Sequence, residues 1–482
     1  STVSRNHAVL TRYDDGSWTL TDASSKTGTW VNGEKVNICA IHPGDKISIG
    51  GVDMELVPIT KRQEQLQSQL RTRGSGPISS IFGLILLTLL QAAMLMGFLL
   101  SGVEEEYPSY VLGFCSVAIC QWGLFLFYAV IHRSSFEVET LAFFLCTLGM
   151  AAIATVKPGE ILKQAAAMVL GVLTFLLIGW SLRDLERAKR CRYLAVLLGV
   201  GFLVITLLFG REYYGAKNWL VIGGLSLQPS ELSKVCFVYA GASTMDRIMN
   251  KRNLILFIAY SVVICGLLAL MNDFGTAMIF FCAFLIIAYL RSGSVGTIAL
   301  ACTALGFAGV LAIRIAPHAL NRFATWRHIW ENPYSSGYQQ TQAIMCIASG
   351  GLFGLGAGKG FLQKVFAADS DIVFATISEE WGLLLALLAV LVVAALGFFA
   401  IRTSRVSRSS FYCIGGCTAA GILLIQAALN CLGTVDVLPF TGVTFPFLSN
   451  GGTSMIGAWG LLAFVKAADT RQNASFAVRY TK

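Results

Sequence analysis

Residues 322–371 read RFATWRHIWENPYSSGYQQTQAIMCIASGGLFGLGAGKGFLQKVFAADSD. This is the longest polar interruption in an otherwise apolar region. It holds Arg322, Arg327, His328, Glu331, Lys359, Lys364, Asp369 and Asp371, with Trp326, Trp330 and Tyr334 near its front. A loop this long, kept between apolar runs and loaded with charge and glycine, points to a site. The plain alternative is a solvated connector.

The flanking sequence reads as membrane. The chain is 55% apolar and 13% charged, a balance found in integral membrane proteins. From residue 78 onward apolar runs recur near 79–102, 109–131, 138–156, 162–181, 193–210, 229–246, 254–271, 275–290, 297–315, 373–401, 410–434 and 452–468. Their lengths bracket what a bilayer core requires. The expected fold is an all-α polytopic membrane protein of about twelve transmembrane helices, preceded by a small all-β portion. The net charge of +9 reads as the Lys and Arg excess of cytoplasmic loops, so no nucleic-acid partner is expected. The 13 cysteines form no CxxC pair and no metal spacing, and most lie inside apolar runs as small packing residues. Ser1–Asn6 is polar, so no cleavable signal peptide is expected there.

Residues 1–57 are different in kind. Short alternating runs (HAVLTRY, SWTLTD, TWVNG, KISIG, VDMELV) are broken by turn residues, the pattern of a β-hairpin series. Three pieces, Ser4-Arg5-Asn6-His7, Thr27-Gly28-Thr29-Trp30-Val31-Asn32-Gly33 and Pro43-Gly44-Asp45-Lys46-Ile47-Ser48-Ile49-Gly50, resemble the forkhead-associated (FHA) domain, whose loops bind phosphothreonine. The resemblance puts Ser4, Arg5 and Asn32 at the phosphopeptide loops. It also places a Gly-Arg element before residue 1, so the domain, residues 1–59, is expected to be incomplete at its start. Residues 60–77 are polar and basic and read as a linker or surface helix against an anionic leaflet.

Orientation follows from the basic loops. Arg183, Arg187, Lys189, Arg190 and Arg192 form one group; Arg247, Lys251 and Arg252 a second; Arg402, Arg405 and Arg408 a third. All three face the cytoplasm under the positive-inside rule. They agree with one another only if both termini are cytoplasmic, which sends Glu104-Glu105-Glu106, 211–228, Asn272-Asp273, the long loop and 436–450 outward.

The outward segments carry the polar chemistry. Gly215-Ala216-Lys217-Asn218-Trp219 leads to Gln228-Pro229-Ser230-Glu231-Leu232-Ser233-Lys234. Proline and serine open a helix there, with Glu231 and Lys234 three apart on one face. Asn272-Asp273-Phe274-Gly275-Thr276 follows. After the long loop come Leu438-Pro439-Phe440-Thr441-Gly442 and Phe445-Pro446-Phe447-Leu448-Ser449-Asn450-Gly451-Gly452-Thr453-Ser454, which suggest a bent or re-entrant segment buried against protein.

In this order the pieces resemble the SEDS family (shape, elongation, division and sporulation), the group of FtsW, RodA and SpoVE. All five family motifs occur across residues 138–468, including Gly337-Tyr338-Gln339 and the glycine-rich run after it. The two spans at 78–132 and the FHA-like portion are additions; residues 133–482 correspond to the SEDS domain, with a large extracytoplasmic loop at about 316–371.

The resemblance implies a peptidoglycan glycosyltransferase at the outer face of the bacterial cytoplasmic membrane, serving division, elongation or sporulation. It would polymerise lipid II, whose undecaprenyl diphosphate leaves as a sugar hydroxyl attacks the anomeric carbon. Such chemistry needs a base, positive charge or a divalent cation (Mg or Mn), and a groove for the lipid. A class B penicillin-binding protein is the implied partner, and a phosphothreonine protein that of the FHA-like portion. Lys217, Arg322 and Lys359 suit a diphosphate. Trp219, Glu231, Lys234, Asp273, Tyr338, Gln339, Asp371 and Ser449 join them as motif residues.

One departure bears on the mechanism. The family's essential aspartate falls at Asn332, in Trp330-Glu331-Asn332-Pro333. An amide cannot act as a general base, so Glu331, its neighbour, is the alternative catalytic carboxylate. Asp369 stands where many members have histidine, and Asn450 where an aromatic is usual. Two further readings stay open: a silent SEDS homologue acting as a scaffold in a cell-wall complex, and a transporter of a lipid-linked precursor.

Overall fold

The computed structural model describes residues 4, 7–12, 17–55, 76–101, 104–213, 215–223, 225–245, 251–293, 317–405, 407, 409–471 and 474–477, with scattered positions between 295 and 303. Residues 60–75 of the expected linker at 60–77, most of the expected span at 297–315, and Arg5, Arg247 and Arg408 lie outside the described residues. The chain divides into two units, Ser1–Arg71 and Thr72–Lys482.

The first unit is two antiparallel sheets. β1 (Ala8–Arg12), β2 (Trp18–Asp22) and β5 (Ile38–Ile41) form one, in the order β1-β2-β5. β3 (Thr29–Val31), β4 (Glu34–Val36), β6 (Lys46–Ile49) and β7 (Val52–Glu55) form the other, in the order β4-β3-β6-β7. Alternation sends Leu20, Val31, Ile41 and Ile47 into a common core. Asn32 takes φ +51° at the β3–β4 turn. Its amide donates to Asp45 (2.8 Å) and its carbonyl accepts from Lys46 N (2.9 Å), tying that turn to the loop before β6. Ser4 Oγ accepts from Lys26 N (3.1 Å).

The second unit is helical. Nine helices among the described residues are long and apolar enough to cross a bilayer. They include α1 (Pro77–Ser101), α2 (Tyr107–Val130), α3 (Glu137–Val156) and α4 (Ile161–Leu182). A short α5 (Leu185–Arg190) carries Arg187, Lys189 and Arg190 of the first basic group, and α6 (Arg192–Phe209) follows. The segment expected as an outward loop at 211–228 is a three-stranded antiparallel sheet, β8 (Arg211–Tyr213), β9 (Ala216–Ile222) and β10 (Leu225–Leu227), with β9 central. Pairing within the sheet satisfies backbone groups a bare loop would leave open. Then come α7 (Pro229–Met245), α8 (Lys251–Leu270) and α9 (Phe274–Ser292).

The long loop has structure of its own: α10 (Pro317–Thr325), a 3-10 turn at Ile329–Glu331, and α11 (Tyr338–Gly350). The run expected as one span at 373–401 is two helices, α12 (Val373–Trp381) and α13 (Leu383–Ser404), broken where Gly382 takes φ +90°. Only glycine holds that conformation without strain. α14 (Ser410–Thr434) and α15 (Gly452–Ala468) complete the bundle. α7 and α15 have 17 residues each and account for two of the expected spans. α15 is buried along nearly its whole length and packs against α4, α7 and α14, so it forms the centre of the bundle.

Candidate functional site

The segment between α14 and α15, residues 435–451, is where the polar pieces meet. Asn430, inside α14, donates to the carbonyls of Asp371 (2.9 Å) and Val443 (2.8 Å). Ser449 Oγ donates to Ser370 O (2.6 Å) and accepts from Phe445 N (2.8 Å). Asn450 N donates to Asp369 O (2.8 Å), and its side-chain amide donates to Asp369 (2.6 Å) and to Glu160 (2.7 Å). Lys157 pairs with Asp369 at 3.1 Å. Gln164 closes the ring through Gly451 N (3.3 Å) and Ser449 O (3.4 Å). The end of the long loop is thus locked to the α14–α15 segment and to the α3–α4 turn.

Asp371 stands beside this lock. Its carboxylate Oδ2 lies 3.2 Å from where a Cβ on Gly442 would be, and Gly442 itself takes φ +66°. Arg322 reaches over from α10 and donates to Thr441 O (3.0 Å). Burial raises the Asp371 pKa to about 6; the hydrogen bond from Ser370 and the charges of Arg322 and Lys157 pull it down, and Asp369 pushes it up. The result is a carboxylate poised near neutral pH with cations alongside.

The front of the long loop rests on the same segment. Trp326 Nε1 donates to Val437 O (3.2 Å) and Arg327 N to Asp436 (3.1 Å). Glu331 and Asn332 are on its outer surface. The Glu331 side chain is 71% exposed and is paired with His328 at 3.0 Å. Asn332 uses its carbonyl to accept from Ser335 N and Gly337 N, closing the turn into α11. Glu331 sits in a 3-10 turn that Asn332 ends, rather than in an extended strand. No described contact brings either side chain to Asp369, Asp371 or Arg322.

The other expected site residues divide by place. Lys359 is exposed on the glycine-rich run. Tyr338 opens α11 and is 40% exposed, and Gln339 donates to Phe366 O (2.8 Å). Lys217 and Trp219 lie half-buried on β9, with Lys217 N donating to Met271 O (2.9 Å). Asp273 caps α9 through Thr276 N (3.1 Å) and accepts from Asn218 (3.2 Å). Glu231 and Lys234 pair at 2.7 Å inside the bundle, where an added Cβ on Gly457 would meet Glu231 O at 2.9 Å. Each of these two charges satisfies the other, as buried charges must. Their geometry ties the start of α7 to α15.

Lys157, Glu160, Gln164 and Asn430 escaped the sequence reading. Lys157 and Glu160 flank a Pro-Gly turn of four residues, KPGE, which looks like any short connector. Two opposite charges in so short a turn between apolar helices were the available signal. Asn430 sits in an apolar helix, and a lone mid-span amide was its signal. Among the described residues, no three His, Cys, Asp or Glu side chains gather into a set that could hold a metal ion.

The chain resembles known proteins along most of its length. Residues 121–474 match the cell cycle protein family of FtsW, RodA and SpoVE, and residues 1–50 match the FHA domain. The chain is 30% identical over 396 residues to the probable peptidoglycan glycosyltransferase FtsW of Bacillus subtilis, covering 75% of this chain and 92% of that one. It is 30% identical over 326 residues to the peptidoglycan glycosyltransferase RodA of Mycobacterium tuberculosis, covering 63% and 69%. Among solved structures, a chain from work on polymerization and crosslinking by a peptidoglycan synthase complex superposes with a TM-score of 0.58 at 24% identity, over 69% of this chain and 96% of that one. RodA, the rod shape determining protein of Thermus thermophilus, gives 0.50 at 24% identity, over 69% and 95%. The chain belongs to the FtsW/RodA/SpoVE family of cell cycle proteins.

Proposed function

We propose that this membrane protein polymerises lipid II into glycan strands at the outer face of the cytoplasmic membrane, with Asp371 as its general base. The observation that carries the base is the setting of Asp371: half-buried, under the charge of Arg322, with Gly442, which has no Cβ, against its carboxylate. In this reading the sugar 4-hydroxyl class of nucleophile loses its proton to Asp371 as its oxygen bonds to the anomeric carbon. The bond from that carbon to the diphosphate oxygen breaks, and the lipid diphosphate leaves. Arg322, Lys157 and Lys359 supply positive charge to the leaving group. A general base contributes about 10²–10⁴-fold. The relatives named peptidoglycan glycosyltransferases support the reaction class.

A divalent cation would add to the charge on the diphosphate. The steps above are those of the chain's own side chains, and Asp371 and Asp369 are the carboxylates beside which such a cation would sit. A class B penicillin-binding protein is the partner proposed for crosslinking. Both termini are proposed to be cytoplasmic, because Arg183, Arg187, Lys189, Arg190 and Arg192 cluster at one end of the bundle's helices. The FHA-like unit is proposed to take a phosphothreonine segment through Ser4 and Arg5, with Asn32 holding the loop.

The test is polymerisation of purified lipid II by the full chain, with and without the transpeptidase. Glycan strands abolished by Asp371→Asn support the proposal. One observation favours a second reading, a silent scaffold: the amide of Asn332 stands at the position of the family's aspartate. Background activity under every condition would decide for it.

A further inference from the structure

The outward tip of α1 touches the glycine-rich run, and most of the α1–α2 hairpin lies ahead of the family match, which begins at residue 121. Ser101 Oγ, at the last residue of α1, lies 2.6 Å from Ala357 O and 2.7 Å from Gly97 O and donates between them. Gly97 sits so close that an added Cβ would be 3.5 Å from Ala357 Cβ and from the Trp381 ring. Phe98 is fully buried. Its ring lies 5.9 Å from that of Trp381, with Tyr110 at 5.1 Å and Phe114 at 5.9 Å from α2 behind it.

Trp381 ends α12, and α12 holds the other side of the same run. Leu355 N and Gly356 N donate to the carbonyls of Glu379 and Glu380, both at 2.9 Å, and Leu383 N donates to Gly351 O (3.0 Å). The Glu379 carboxylate accepts from Phe361 N (2.8 Å) and Leu362 N (3.0 Å). Glu380 accepts from Gly360 N (3.3 Å) and from Thr155 (2.6 Å). Gly351, Gly354, Gly356 and Gly358 all take left-handed φ. Such a run has more freedom to lose on ordering than any other, so its shape depends on what grips it. α12 grips one side and the tip of α1 the other, and Lys359 projects from between them.

We propose that the α1–α2 hairpin is a positioning element, whose Phe98 and Ser101 fix the glycine-rich run so that Lys359 meets the substrate's diphosphate. This rests on the glycosyltransferase reading above for the diphosphate, and on the geometry alone for the grip.

The test compares the full chain with Ser101→Ala and Phe98→Ala, and with the conservative Ser101→Thr and Phe98→Leu. Hydrogen exchange of the amides in 351–362 is measured beside lipid II kinetics, with thermal unfolding to confirm folding. Loss of one hydrogen bond or packing contact should speed exchange roughly tenfold. Lys359 acts through charge on the diphosphate, so KM should rise by a similar factor, and the conservative variants should recover both. Unchanged exchange would overturn the inference, and so would faster exchange with unchanged KM. If Phe98→Ala does not fold, Ser101→Ala at the helix end decides. If the unaltered chain makes no glycan, the function proposed above fails, and exchange alone decides whether the hairpin grips the run.

Discussion

Asn450 and Asp369 are joined twice, by a backbone hydrogen bond of 2.8 Å and a side-chain hydrogen bond of 2.6 Å. A carboxylate at 369 needs donors; an amide at 450 and Lys157 provide them.

Asn450→Leu should therefore destabilise more than its size suggests. It strips donors from Asp369, which is buried, and from Glu160. A buried acceptor left open costs about 1–3 kcal/mol. Thermal unfolding in detergent should show the loss, and Asp369→Ala in the same background should give part of it back.

Asp371→Asn should separate stability from activity. Burial holds this pKa near 6, above the ordinary aspartate value. The folded state thus binds a proton more tightly than the unfolded chain. Stability from this group is present at low pH and falls as pH rises through about 6. A neutral amide removes that penalty, so the variant should be at least as stable as the parent at pH 7.5 while polymerisation drops about 100-fold or more. In the parent, polymerisation should fade as pH drops below about 6, because the base becomes protonated. A full-rate Asp371→Asn enzyme would refute the assignment.

Asn332→Asp tests the competing site. With the base at Asp371, restoring the family's aspartate should change the rate by less than about threefold. With the base at position 332, the gain should approach the 10²–10⁴-fold worth of a general base. Glu331→Gln completes the comparison and should be silent, since Glu331 is exposed and paired with His328.

Lys466→Met addresses the anchorage of the hairpin. Lys466 and Glu139 pair at 3.0 Å, both buried, and Tyr128 of α2 donates to the same carboxylate at 2.7 Å. Removing one partner of a buried pair costs about 3–5 kcal/mol. Adding Glu139→Gln should recover much of it, as measured by unfolding in detergent.

Ser336 is exposed on the long loop. In intact cells, Ser336→Cys should react with a membrane-impermeant maleimide, above the background of the native cysteines. Reaction only after permeabilisation would reverse the proposed orientation.

Much of the helical bundle could be read from the chain because apolar runs of bilayer length leave few alternatives. The β-strands before residue 56 showed through alternation and turn residues. The motif residues were visible singly, yet their assembly was not. Asp369 meets Lys157 across 212 positions of sequence, and no local pattern encodes that. Gly382 sits in EEWGLLLAL, where a glycine reads as an ordinary packing residue. The sheet at 211–227 was hidden because its strands are short and follow an apolar helix directly. Glu231 and Lys234 stand three apart on one helix face, a spacing that permits the 2.7 Å pair; their burial against α15 is what the local sequence does not carry.

The break at Gly382 also divides the labour of one apolar stretch. α13 has 22 residues, roughly 33 Å of rise, which already matches a hydrocarbon thickness of about 30 Å. The 9 residues of α12 are then surplus to the crossing, and they carry Glu379 and Glu380 to the glycine-rich run. An unbroken helix over 373–404 would keep the apolar length and lose that grip. A change that straightens this bend is then felt in the loop before it is felt in the membrane anchorage.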